Sequence, residues 1–376
     1  MGKIKIGYFL NTEVRGGVEE HLLSLLKHLN REKFDPVVIL PARLALLMKD
    51  DFEKNNIQYK EIYIRSWSNI KEIIRFIKFL KKEKFDIINP HLFFASRFAA
   101  PIAKLCGVPV VIETAHIREA WRKGYLKTFY GIDRFFSLFV NKYIAVSWAI
   151  KKYFVDVKKI NPDKIEVVHN GIDLSKFNPE EVKSEYDIRS KYNFGNDLIA
   201  GVVARLEPQK GHRFFLDAAK LILKEFSGVK FLIVGEGNLE KDLRDYAGKL
   251  NISDNVIFAG YYKNIAQVLM SIDIFVLPSL YEGLPLSVIE ASSMEKAIVA
   301  TNVDGTPEIA VNGETGIIVE PENPEELKKA ILFFLKSEEK RKDFGKKARI
   351  RVLENFSIYK QTRETELIYL NSLMQR

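Results

Sequence analysis

A single cysteine, Cys106, stands in a chain of 376 residues, which excludes an internal disulfide and suits a reducing compartment. Its setting, AKLCGVPVV, reads as a buried helix end with no chemistry. No apolar run approaches the ~20 residues of a membrane span. The opening MGKIKIGYFL enters a strand at once and leaves no room for a signal peptide. The expectation is a cytoplasmic protein. No G-x-G-x-x-G follows the first strand, so the dinucleotide fingerprint is missing there. There is no D-x-D, and no spacing of His, Cys and Asp reads as a metal site, so neither a metal nor another cofactor is expected. Repeats of solenoid period and low-complexity tracts are missing too.

What is present is the composition of an ordinary globular protein, 47% hydrophobic and 28% charged. A chain of this length exceeds the ~250–300 residues at which single cores stop growing, so two domains are expected. Strand-like runs alternate with helical stretches: KIKIGYFL, FDPVVIL, IQYKEIYI, FDIINPHL, VPVVIETAH, KYIAVS and KIEVVHNG. A polar pause at HNGIDLSKFNPE, residues 169–180, reads as a hinge. A second series follows: LIAGVVARL, VKFLIVGEG, NVIFAGY, IFVLPS, AIVATNV and TGIIVE. Such alternation implies two doubly wound α/β domains with parallel sheets, residues 1–170 and 171–356. A last helix, within 357–376, has no strand after it.

The stretch PSLYEGLPLSVIEA, residues 278–291, carries the most chemistry. A buried strand ends in a tight turn at Tyr281-Glu282-Gly283, and helical spacing begins at Leu284. That geometry brings bare N–H groups and a helix dipole to one point. Glu282 sits at the turn, and Glu290 is expected two helical turns on, on about the same face. Two carboxylates there suit a ligand carrying hydroxyl groups as well as phosphate. In VARLEPQKGH, residues 203–212, Arg205 and Lys210 offer two cations where negative charge grows on a leaving diphosphate. Gly16 and Gly17 open the first helix, either as a plain turn or to admit a phosphate. Glu19 beside them is expected to be solvated. His116 ends a buried strand, where α/β sheets present ligand-binding groups. His169 reads as structural, and His21, His28, His91 and His212 receive no role.

As an ordered set running from about residue 5 to the last helix, these motifs, YEGLPLSVIEAS above all, resemble the retaining nucleotide-sugar glycosyltransferases of family 4. This is the "glycosyl transferases group 1" type with the GT-B fold. The resemblance implies two Rossmann-like domains facing across a cleft, with the acceptor on the first, the donor mainly on the second, and the last helix crossing back to the first. It assigns Gly16, Gly17, Arg205 and Lys210 to the donor diphosphate and His116 to the sugar and its phosphate. Glu282 would orient the sugar hydroxyls, Glu290 would hold the ribose, Tyr261 would pack on the base, and Gly305 and Thr306 would line the cleft.

The implied reaction moves a sugar, with retention, from a nucleotide-diphosphate sugar, UDP-linked, to a hydroxyl of a glycan or lipid-linked envelope acceptor. Polysaccharide biosynthesis is the implied setting. Arg205 and Lys210 would replace the metal that D-x-D holds in the other large glycosyltransferase fold. Many relatives have a second glycine where this chain has Pro285, which donates no N–H. The donors left are the N–H groups of Gly283, Leu284 and Leu286, with Pro285 expected near the first helical position. Two rivals remain: a nicotinamide-dependent oxidoreductase, which lacks its glycine fingerprint here, and a non-catalytic nucleotide- or glycan-binding relative. Keeping Arg205, Lys210, Glu282 and Glu290 together argues against the second.

The net charge of +9 is uneven. Residues 1–170 hold 30 Lys and Arg against 18 Asp and Glu, +12, while the remainder holds 28 against 31, −3. A basic half suits an acidic membrane or a nucleic acid, or is a Lys-rich solvated surface. The basic stretches 65–84 and 117–139 add Ile70, Ile73, Ile74, Ile77, Leu80, Trp121, Tyr125, Phe129, Phe135, Phe136 and Phe139. Each reads either as a core helix with a solvated back or as an interfacial helix. With a lipid-linked acceptor, an anionic membrane surface is the expected partner, the protein is peripheral to the membrane, and no nucleic acid is involved.

Overall fold

The computed structural model describes residues 2–119, 130–182 and 188–375. The chain divides into two compact units, Met1–Gly171 with Ile358–Arg376, and Ile172–Ser357. In the first, seven strands form one parallel sheet: β1 (Ile4–Phe9), β2 (Phe34–Leu40), β3 (Gln58–Glu61), β4 (Ile87–Pro90), β5 (Val110–Ala115), β6 (Lys142–Ala145) and β7 (Ile165–Val167). Their order is β3-β2-β1-β4-β5-β6-β7. The central strands are apolar on both faces because helices cover both. The IQYKEIYI stretch is shorter than its apolar pattern suggests. Only Gln58–Glu61 pairs, and all four side chains are exposed, because β3 is an edge strand with a neighbour on one side.

The last helix, Ile358–Met374, belongs to the first unit. Tyr369 is buried among Tyr8, Leu22, Phe34 and Ile87, and its hydroxyl donates to Asn89 Oδ1 at 2.8 Å. Glu366 accepts from Asn30 N at 2.7 Å, and Gln361 Oε1 accepts from Gly171 N at 2.6 Å. A helix without a following strand thus completes one face of the first core.

The second unit holds β8 (Leu198–Val203), β9 (Val229–Val234), β10 (Val256–Gly260), β11 (Ile274–Leu277), β12 (Ala297–Thr301) and β13 (Ile317–Val319). All are parallel, in the order β10-β9-β8-β11-β12-β13. Val202, Phe231, Val276 and Val299 pack against the helices His212–Leu223 and Pro324–Leu335. Both units are doubly wound Rossmann-like domains. Among the described residues no helix is long and apolar enough to cross a membrane.

Candidate active site

In the second unit the strand order reverses between β8 and β11, and open parallel sheets meet their ligands beyond the strand ends at such a point. The loop leaving β8 carries Arg205 and Lys210, and the loop leaving β11 carries residues 278–285. The loops are tied together. Leu280 N donates to Gln209 O at 2.8 Å, and Gln209 Nε2 donates to Tyr281 O at 2.8 Å. Gly211 has φ +64°, and a Cβ there would lie 1.9 Å from Pro278 O, so only glycine lets these backbones touch. The loop after β12 closes the group. Gly305 N donates to Gly283 O at 3.0 Å, Glu282 N to Asp304 Oδ2 at 2.8 Å, and Thr301 Oγ1 to Ser279 O at 2.6 Å.

At the centre Lys210 Nζ donates to Glu282 Oε1 at 2.5 Å, and Ser279 Oγ donates to the same oxygen at 2.7 Å. Glu282 is 5% exposed. Both bonds converge on Oε1, which leaves Oε2 to accept from a ligand hydroxyl. One of the three ammonium protons is engaged, which leaves two for an anion. Arg205 is set differently. Its guanidinium is exposed and bonded to Glu207 at 2.7 Å, while its carbonyl accepts from His212 Nε2 at 3.0 Å. His212 is buried, and desolvation lowers its pKa to about 4, so a neutral ring pins the Arg205 backbone.

The first unit has its own reversal, between β1 and β4. Gly16 and Gly17 follow β1, His91 follows β4, and His116 follows β5. Gly16 caps the helix Gly17–His28, and its N–H donates to Glu19 Oε2 at 2.9 Å. Thr12 Oγ1 donates to Glu19 Oε1 at 2.7 Å. Glu19 is therefore buried as a capping residue rather than solvated. A Cβ on Gly17 would meet nothing within 4 Å, and its φ is not left-handed, so the fold itself makes no demand for glycine there.

His21, from that first helix, joins His91 and His116, with one ring nitrogen from each within 4.8 Å of the others. His91 Nδ1 and His116 Nε2 are 2.9 Å apart. Burial lowers the pKa of His21 to about 4 and holds His91 and His116 well below the usual histidine range, so all three rings are neutral. Sequence spacing revealed no such cluster, because its members come from three separate segments. The loop beyond His116 is held by Lys158, a buried cation bonded to Glu119 at 2.7 Å and Asp133 at 3.3 Å. Tyr153 Oη donates to Glu119 Oε2 at 2.7 Å. Burial raises the pKa of Glu113 nearby to about 7, with Lys158 opposing the shift.

Residues 184–351 match the family described as glycosyl transferases group 1, and residues 15–176 match glycosyltransferase family 4. The two matches tile both units. The chain belongs to the family 4, group 1 glycosyltransferases. It is 27% identical to the Escherichia coli UDP-Gal:alpha-D-GlcNAc-diphosphoundecaprenol alpha-1,3-galactosyltransferase, across 100% of this chain and 98% of that protein. Its fold matches a glycosyltransferase from Rickettsia africae with TM-score 0.85 at 23% identity, covering 99% of both chains. It also matches Anabaena Alr3699/HepE in complex with UDP, with TM-score 0.85 at 19% identity over 98% of this chain and 100% of that one. This glycosyltransferase thus has the GT-B fold, and the nicotinamide reading is set aside.

Within the glycosyltransferase frame, several expected residues sit differently from their sequence reading. The helix begins at Leu286 with Pro285 as its N-cap, φ −71° and ψ 113°, directly before the first helical position. The first-turn amides of Leu286 and Ser287 have no intrahelical acceptor and point to the helix's positive end. Glu282 therefore lies outside the helix that carries the half-buried Glu290, and helical spacing does not relate the two. Leu284 is buried and hydrogen-bonded within the protein. Thr306 is fully buried, with its N–H given to Val303 O at 3.0 Å, so it holds its turn and presents no hydroxyl to solvent. Gly305 ties loops together through its N–H. Tyr261, just past β10, is 67% exposed and open to stacking. Ser279, Asp304, Gln209 and His212 support the site and were not singled out by sequence. Ser279 lies inside the YEGLPLSVIEAS neighbourhood and Asp304 inside NVDGTPEIA, so proximity to those motifs was the available signal.

In the first unit the stripe of the helix Ile70–Glu83 is not simply core. Phe76 and Leu80 are buried, while Ile70 and Ile74 are 64% and 46% exposed. Trp67 stacks near Phe136 with centroids 6.5 Å apart and planes 9° apart, and Phe135 beside them is exposed. Arg97 lies over Phe94 and Phe98 at 4.8 and 4.7 Å. Trp121, Tyr125 and Phe129 lie outside the described residues.

Proposed function

We propose that this glycosyltransferase moves a sugar from a UDP-sugar to a hydroxyl of a lipid-diphosphate-linked glycan, with retention of configuration and without a divalent metal. The observation that carries the reading is the Lys210–Glu282 pair, set by three cross-tied loops where the second sheet reverses. Lys210 and Arg205 receive the diphosphate, whose negative charge grows as the bond from sugar C1 to the phosphate oxygen breaks. Glu282 Oε2 accepts from the sugar hydroxyls, Glu290 holds the ribose, and Tyr261 packs on the base. In the first unit, Gly16, Gly17 and His116 are the residues that the family resemblance assigns to the donor's phosphate and sugar. The transition state is oxocarbenium-like, as in other glycosyl chemistry. The acceptor oxygen bonds C1 on the face that the diphosphate leaves, and its proton passes to the departing phosphate oxygen. No protein base is then needed.

The acceptor assignment is supported by the full-length likeness to a galactosyltransferase whose name specifies a diphosphoundecaprenol acceptor. It is also supported by the first unit's basic balance and its exposed aromatics, which suit an anionic bilayer. Turnover should proceed in excess chelator with UDP-sugar and a lipid-diphosphate-linked acceptor. The protein should sediment with anionic vesicles at low salt and release near 1 M, where the Debye length is only ~3 Å. Loss of activity on chelation with rescue by magnesium would overturn the metal-free reading. Equal turnover on a soluble sugar, with no vesicle binding, would overturn the lipid acceptor.

A further inference from the structure

The three histidines of the first unit are arranged around one hydrogen bond, between His91 Nδ1 and His116 Nε2 at 2.9 Å. Two neutral imidazoles sharing such a bond have only two arrangements, since one nitrogen must donate and the other accept. If His116 donated, the proton of His91 would sit on Nε2. That nitrogen is buried and meets no partner. A buried orphaned N–H is among the rarest features of folded proteins, whereas a bare buried acceptor is tolerated more often. The arrangement that avoids the orphan has His91 Nδ1–H donating into the lone pair of His116 Nε2. The proton of His116 then sits on Nδ1, for which no protein partner exists among the described residues.

We infer that His91 is a positioning residue that holds His116 as its Nδ1–H tautomer, so that a neutral ring presents a hydrogen-bond donor to the sugar-phosphate. The backbone is built to hold His91 still. His91 N donates to Phe9 O at 3.0 Å, and Leu92 N donates to Thr114 O at 3.0 Å, which seats the residue between β1 and β5. Leu92 takes φ +72° and ψ 154° to do so, a conformation a bulky side chain adopts only when its surroundings impose it. His21 stands edge-on to His116 with centroids 4.7 Å apart at 84°, and Gln361 Nε2 approaches its Nδ1 at 3.4 Å. It walls the pair without taking the His116 proton. Three buried imidazoles also make a donor set for a soft divalent cation. Among the described residues no carboxylate or thiolate joins the group, and the His91–His116 bond already uses the lone pair a metal would need.

This inference rests on the assignment of His116 to the donor, and its first test does not. The full chain with ring-labelled histidine should show, in long-range proton–nitrogen correlation spectra at pH 7.5, a protonated Nδ1 and a bare Nε2 on His116. An Nε2–H tautomer would overturn the inference and leave the donor assignment standing. His91→Leu removes the donor and should lower kcat by ~10-fold, less than the ~100-fold or more of losing a catalytic acid or base because His116 itself is kept, with donor KM little changed. His91→Asn keeps an N–H near the place of Nδ1 and should restore turnover to within ~3-fold. Equal loss in both variants, or no loss in either, would overturn the positioning role. Stoichiometric cobalt binding that disappears in His91→Leu would overturn it too, in favour of a metal site. If His91→Leu does not fold, the wild-type tautomer alone decides. A His116→Phe enzyme with normal turnover would defeat the donor assignment itself.

Discussion

Both units carry a parallel sheet that reverses after its first strand, and in both the candidate site residues lie just beyond that reversal. They build these sites from different material. The second unit relies on backbone groups: Gly211, Gly305 and the 278–285 turn are drawn together by main-chain contacts and by the side chains of Gln209, Thr301 and Asp304 bonding to main chain, with Glu282 and Lys210 as the ionic pair inside. The first unit relies on buried ionisable side chains, namely three histidines, Glu19, Glu113, Glu119, Asp133 and Lys158. A backbone-built site repeats one geometry, which suits a constant diphosphate. Buried ionisable groups are costly unless paired, so the first unit's loops depend on mutual neutralisation and respond to pH and to loss of one partner.

The sharpest break in that comparison is Lys158→Met. It leaves Glu119 and Asp133 buried without their cation and should cost ~3–5 kcal/mol of stability. Denaturant unfolding monitors this, while UDP should still raise the melting temperature through the second unit. A loss below ~1 kcal/mol would mean that the network is hydrated and does not hold the loop.

Next in size is Lys210→Ala. Removing one preorganised cation should cut turnover ~100-fold or more, measured with UDP-sugar at a temperature where the variant stays folded. Near-normal turnover would take the diphosphate role away from this residue.

The smallest effect separates two opposite pH responses inside the first unit. His21 has a folded pKa of about 4, below its unfolded value, so the unfolded chain binds more protons between about pH 6.5 and 4. Stability from this burial is present above that window and is lost as pH falls through it. Glu113 has a folded pKa of about 7, above its unfolded value, so the native state binds the extra proton. Its contribution is intact at low pH and is lost as pH rises from about 4.5 to 7. Glu113→Gln should therefore raise the melting temperature at pH 8, by the equivalent of ~2–3 kcal/mol at most, and change little at pH 4.5. An equal shift at both pH values would show that the carboxyl does not titrate in this range.

Much of the fold was legible because strands and helices are local patterns. Apolar runs such as IFVLPS and VVIETA mark buried strands whatever lies around them. Lys210 and Glu282 were legible because each sits where a strand gives way to a helix. The Leu286–Ser293 helix starts two residues after the apolar spacing does, since its first hydrogen bonds run to Pro285 O. The burial of Thr306 was not legible, because only packing against neighbouring loops seals a polar side chain in a glycine-containing turn.

Two Rossmann-like domains, the family and the charge asymmetry could be read from the sequence alone. All of these follow from periodicity, composition and contiguous motifs. Only the tertiary structure decided that Lys210 grips Glu282, that Lys158 neutralises Glu119 and Asp133, and that His21, His91 and His116 share one buried group. The reason is physical. Parallel strands are joined by long crossovers, so side chains that meet at a sheet's edge lie tens of residues apart, and nothing in local spacing records which loops the strand order brings together.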